Sequence, residues 1–152
     1  MVERKVRIPI TKEQCIGLEE KAKELGINGL KTEWIAGKGI ARKNACSIKF
    51  FDTDELHIVL VNSTVENINI DKSDIDDITT FGSKISTIDF WGSDINSIIP
   101  VNTEISNFTP RDGSKVQYEF VLDSNIDTLG FKNATVNELS YDSKSKINFK
   151  TE

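Results

Sequence analysis

Long apolar runs are missing from this chain. None approaches the roughly 20 consecutive apolar residues that span a bilayer, so no membrane partner is expected. The start, Met1 to Arg7, carries charge but no apolar stretch follows it, so it does not read as a secretory leader. The cytoplasm is the expected compartment. Cysteine is scarce, with only Cys15 and Cys46 present, and the pair fits free thiols better than a disulfide framework. Asn-x-Ser/Thr triplets at Asn62, Asn107 and Asn133 then read as chance. Histidine occurs once, at His57, and no Cys-x-x-Cys or His-x-x-x-His spacing exists. No zinc site and no cofactor is expected. A lone His57 with nearby carboxylates is the only nucleus for catalysis, and no Ser-His or Cys-His arrangement is built around it. The carboxylate pairs Asp76–Asp77 and Asp52–Asp54 fall where solvent should keep both members ordinary acids, so an enzyme is not expected.

What is present suits one globular domain or two small ones: 152 residues, 38% hydrophobic and 28% charged. Charge is divided unevenly. Residues 1–59 carry a net +2 and residues 60–152 a net −7. The two parts are expected to do different jobs.

The second part repeats itself. "SDIDDITTFG SKISTIDFWG SDINSIIPVN", Ser73 to Asn102, contains three blocks of ten that open Ser-x-Ile-x-x-Ile. Stepping by five from Val65 gives Ile70, Ile75, Thr80, Ile85, Phe90, Ile95, Pro100, Ile105 and Pro110. One residue slips in around Gly113, and the count resumes through Val116, Val121, Ile126, Phe131, Val136 and Tyr141. Two places before each of these, small and large residues alternate: Ser63, Ile68, Ser73, Ile78, Ser83, Ile88. Glu119 alone is a bad fit to that column. Two inward positions with one outward residue between them are a short strand, and two further residues make a corner. Twenty residues close four such sides, and at that step like stands over like: Val65, Ile85, Ile105, Ile126. The expected fold is mainly β, a parallel β-solenoid of about four coils over 63–152. A small α+β segment, 1–62, caps its first coil. A period of five excludes helix there. A β-meander with one strand per decad is the alternative, with Gly82 and Gly92 in its turns.

Strings such as "SKIST IDFWG SDINS" resemble the pentapeptide-repeat proteins, over about Ser63 to Asp142. The resemblance implies a right-handed quadrilateral coil. It supplies no active-site residues. The family prefers a small residue at every place that here is alternately Ile, Leu or Phe, which implies a wider or distorted coil.

In the first part, Val6, Ile8 and Ile10 alternate as an edge strand. Thr11 and Gln14 form a capping box, and Cys15, Leu18, Ala22 and Leu25 recur at helical spacing until Gly26. A helix over 12–25 is expected. Leu30, Trp34, Ile35 and Ile40 suit a second helix that Gly37 and Gly39 weaken. "VRIPIT..Q...LEEKAKELGI" is similar to the strand and first helix of ribbon-helix-helix proteins, which implies that Lys5 and Arg7 could read DNA. Lys38, Arg42 and Lys43 read as a solvated basic rim.

Two surface features point to partners. Asp71, Asp74, Asp76, Asp77, Asp89, Asp94 and Glu104 fall outward or at corners, where spaced carboxylates either keep the coil soluble or imitate a duplex. Some pentapeptide-repeat proteins act as duplex mimics, so the resemblance implies a basic nucleic-acid-processing partner. Phe81, Val101 and Leu122 form an outward apolar stripe with Trp91 one corner away. The N-terminal helix, a second subunit or a protein partner could cover it. The expected function is a non-catalytic protein-interaction module, an inhibitor or immunity-type factor of bacterial or phage character. The alternatives are a nucleic-acid-linked regulator, through the acidic coil or through Lys5 and Arg7, and last an enzyme centred on His57.

Overall fold

The computed structural model describes residues 5–8, 11–27, 29–35 and 45–150. Within the repeat, burial advances in alternating steps of two and three: Ser73, Ile75, Ile78, Thr80, then Ser83 and Ile85. A step of two is extended backbone with one residue pointing out. A step of three leaves two outward residues in succession, and the chain must bend there to bring the next side chain inward. One decad thus gives an eight-residue strand bent at its middle, then a two-residue corner.

The strands so formed are β3 (Ala45–Phe51), β4 (Asp54–Val61), β5 (Thr64–Asp71), β6 (Asp74–Phe81) and β7 (Lys84–Trp91). They continue as β8 (Asp94–Val101), β9 (Glu104–Arg111), β10 (Lys115–Val121), β11 (Asn125–Gly130), β12 (Thr135–Tyr141) and β13 (Lys146–Lys150). Ahead of them come β1 (Lys5–Ile8), α1 (Lys12–Glu24) and β2 (Leu30–Ile35). Successive strands alternate between two sheets, ordered β1-β4-β6-β8-β10-β12 and β13-β11-β9-β7-β5-β3-β2. Within the coil every ladder is parallel, which excludes the meander; Ile75 faces Ile95 and Ile85 faces Ile105. The molecule is a parallel β-solenoid of about five turns, with about 20 residues to a turn. The extra turn arises because β3 and β4 already stack beneath β5 and β6, with Ile48 on Ile68 and Ile58 on Ile78. The bend inside each strand keeps two expected sides in one ladder, so a turn is two long strands rather than four short ones.

The visible period of ten has a backbone cause. Every second corner passes through the left-handed region: φ is 48° at Asn62, 47° at Lys72, 57° at Gly82, 54° at Gly92 and 49° at Asn102. Asn, Asp and Gly dominate there because they tolerate that region best. A buried hydroxyl follows each of these five corners. Ser63 Oγ donates to the Val61 carbonyl at 3.0 Å, and Ser83 Oγ accepts the Ser63 N–H at 3.2 Å. The same two bonds recur at Ser73 with Ser93 and at Thr103 with Ser124. The alternating small residues are thus a hydroxyl ladder that satisfies corner amides buried away from water. The slip falls where the spacing placed it. Asp112 and Gly113 both take positive φ, and the step from Ile95 to Val116 is one residue longer than a turn.

At the N-terminal end, Thr11 and Gln14 close the capping box on α1, and Gly26 at φ 79° follows its last turn. Cys15, Leu18 and Ala22 are buried, while Leu25 is exposed and Ile27 takes the buried place beyond it. Three expectations need correction. Cys15 and Cys46 form a disulfide with Cα atoms 5.9 Å apart, because α1 lies over the outer strands of the first turn. Residues 30–35 are β2, antiparallel to β3, rather than helix. Their apolar members at 30 and 34 alternate with exposed Lys31 and Glu33, which is a strand's period. Gly29 lets this turn close, since a Cβ there would collide with the Phe51 carbonyl oxygen. At the other end Tyr141, expected inward, is 57% exposed. Among the described residues β12 is the last strand of its sheet, so its side chains have strand neighbours on one side only.

Pro9, Ile10, Gly37, Lys38, Gly39, Ile40, Arg42 and Lys43 lie outside the described residues.

Candidate functional site

The left-handed corners fall into two columns, half a turn apart, and each forms one edge of the coil. The first edge carries Val61, Phe81, Val101 and Leu122 in direct vertical register. Phe81 is 44% exposed and Leu122 41% exposed, with Val61 and Val101 half-buried between turns. These residues end strands at outward positions, so their stacking follows from the repeat and their exposure from the corner. Helix α1 does not cover them; it packs on β2, with lesser contacts to β1 and β3. Its tie to β2 includes the Glu19 carboxylate accepting the Thr32 N–H at 2.8 Å.

Trp91 is on the other edge, two corners from Phe81 rather than one. It stacks between Asp71 and Arg111. The Arg111 guanidinium lies over the indole at 4.6 Å and donates to Asp89 at 3.2 Å, which fixes the ring and the cation together. On the same edge Asp54, Asp74 and Asp94 stand one above another, with Lys115 next in the column. Rungs lie ~4.8 Å apart, so these three carboxylates are closely spaced. Asp71 flanks the corner that leads to Asp74, and Asp52 and Asp112 sit at equivalent corners.

Asp76 and Asp77 are elsewhere, at the bend in β6. His57 Nδ1 meets Asp77 at 2.5 Å and its Nε2 lies 3.5 Å from Asp76. The two carboxylates therefore hold an imidazole rather than add to the acidic edge. Of the seven acidic candidates, the structure brings together Asp71, Asp74 and Asp94 at this edge, while Glu104 stacks on Lys84 at the other. A shallow polar groove of about 340 Å³ lies between Asp89, Asn107, Arg111 and Lys132 and is lined by none of Asp71, Asp74 and Asp94. The sequence pattern does not single out Asp89 with Arg111; their pairing is visible only as outward positions 22 residues apart.

β1 is hydrogen-bonded in parallel to β4, with Lys5 opposite His57 and Arg7 opposite Val59. The strand of a ribbon-helix-helix protein would instead pair with its twin, and the second helix is replaced by β2. The side chains of Lys5 and Arg7 are not among those described. Among the described residues no group of three or more His, Cys, Asp or Glu could hold a metal ion, and no helix is long and apolar enough to cross a membrane.

Glu119 is the one charged residue buried among those described, with neither carboxylate oxygen hydrogen-bonded. Burial pushes its carboxyl up from 4.5 to about 7. No protein-family model matches the chain, and neither does any curated protein or solved structure.

Proposed function

We propose that the protein is a non-catalytic interaction module that binds a protein partner along the edge formed by Val61, Phe81, Val101 and Leu122. The observation that supports this reading is an apolar column in register over four rungs, exposed at Phe81 and Leu122 and uncovered by α1. Covering Phe81 and Leu122, which are about two-fifths exposed, contributes a fraction of the ~1.5–3 kcal/mol of a fully buried side chain for each, so the column supplies the apolar centre of an interface and not all of its energy. We also read the coil as pentapeptide-repeat-like and quadrilateral. The alternating burial steps of two and three, a pair that recurs four times per turn, support this. The proposed setting is the cytoplasm. There the Cys15–Cys46 bridge, fully buried on both sides, would be shielded from small thiols, which must reach a sulfur to attack it.

A second reading has its own support. Asp54, Asp74 and Asp94 in register, with Asp71 beside them, present spaced negative charge to a basic nucleic-acid-processing protein.

One experiment separates the two. Wild type and the Phe81→Ser, Leu122→Ser double variant are immobilised, and retained proteins are compared with circular dichroism confirming the fold. Loss of a retained protein with the variant, at unchanged fold, is the expected result. Release by moderate salt from both forms points to the acidic edge, because screening acts over about 8 Å at physiological ionic strength. Unfolding of the variant would show that the column is core, and retention indifferent to both treatments rejects both readings.

A further inference from the structure

Among the buried residues described, every interior position is apolar or hydroxylic except Glu119. It lies in β10 with Ile98 of β8 on one side and Leu139 of β12 on the other. Across the coil, β9 and β11 turn Ile105, Phe108, Ile126 and Leu129 inward. The charged groups of these strands are on outward positions: Asp94 on β8, Glu138 on β12, Glu104 and Arg111 on β9, Asp127 on β11. Lys115 on β10 itself is exposed as well. Nothing charged faces the carboxylate, and its preference for the neutral form comes from burial alone.

The place of Glu119 along the stack is what makes it consequential. Toward the N-terminal end its sheet continues through β8, β6, β4 and β1. Toward the C-terminal end, among the described residues, β12 alone follows, and its Val136 and Leu139 are no more than part-buried. One loosely packed rung separates the carboxylate from the C-terminal face of the described coil. An ionised carboxylate reaches water most cheaply by lifting that rung, since local opening costs less than unfolding the coil.

We propose that Glu119 is a proton-controlled latch on the last turn. With the carboxyl protonated, β12 and β13 stay docked on β10 and β11. When it ionises, they detach and the C-terminal end opens.

The closed form keeps its proton up to pH about 7, whereas the open form loses it above 4.5. Closure is therefore fully favoured below the lower value and weakens progressively as pH rises from there to the higher one. The opening constant should rise about tenfold per pH unit between the two values and level off above, about 300-fold in all. Asp142, at the corner beyond β12, does not confuse the reading. Its hydrogen bond with Ser145 holds its carboxyl below the ordinary value, so it is ionised throughout the window. His57 lies in β4, toward the far end of the sheet.

The test is amide hydrogen exchange on the whole protein from pH 5 to pH 8, corrected for the intrinsic exchange rate. Residues 135–150 should lose protection with the stated slope and plateau, while β6 and β8 do not. Glu119→Gln should flatten the profile, and Glu119→Leu, which removes the polar group, should flatten it and raise protection at pH 8. A wild-type profile without slope in 135–150 overturns the latch, whatever the variants do. A slope equal in β6 and β8 also overturns it, because the coil would then open as a whole. A slope that persists in either folded variant assigns the proton to another group and overturns it too.

Discussion

Ser93 shows how much a single hydroxyl does in this coil. It is fully buried; its Oγ accepts the Ser73 N–H at 3.1 Å and lies within donor reach of the Trp91 and Ile70 carbonyls. Ser93→Ala keeps the fit but leaves the Ser73 amide without an acceptor in a dry corner. The expected cost is about 1–3 kcal/mol, read as a lower urea midpoint at unchanged slope. No shift would show that water replaces the hydroxyl. The place was legible in the sequence as small, because the step of ten repeats there. Its chemistry was not, because the bond runs to a residue a full turn away. The misfit of Glu119 was equally legible, and its isolation was not. Only the vertical register shows that Ile98 and Leu139 flank it.

Among the elements, α1 was the easiest to read and β2 the hardest. Thr11, Gln14 and Gly26 are local signals, and each acts within four residues of itself. Leu30 and Trp34 are compatible with helix or strand taken alone, and the strand wins because β3 offers an open edge beside it. The cystine was misread for a related reason. Two cysteines 31 residues apart carry no signal until helix and strand are packed against each other. Tying them restricts the unfolded chain, and a loop of that length corresponds to about 3–4 kcal/mol. Reduced protein, or the Cys46→Ser variant, should therefore melt at lower temperature than the oxidised form. Equal melting temperatures, with alkylation confirming the thiol state, would mean that α1 is held by its apolar face alone.

For the molecule as a whole, the period of the repeat decided the architecture. Stacking of Ile75 on Ile95 was readable because identical side chains recur at that step. The two edges were only half readable. Phe81, Val101 and Leu122 were placed in line from their spacing, but Trp91 was set too near them, because the bend inside each strand does not reveal which corners are left-handed. That bend also has an engineering consequence, since the chain counts half-turns. Excising Ser73–Gly92 removes one complete circuit, so every remaining residue keeps its edge and Val61 meets Val101. Excising Ser73–Gly82 removes half a circuit and transposes everything downstream, setting Trp91, Arg111 and Lys132 in line with Val61. Both shortened chains should give strand-rich dichroism, but only the first should still capture a partner of the apolar edge. Length variation in such a molecule is therefore quantised, and a lineage or a designer can lengthen or shorten it without scrambling its surface only in whole circuits.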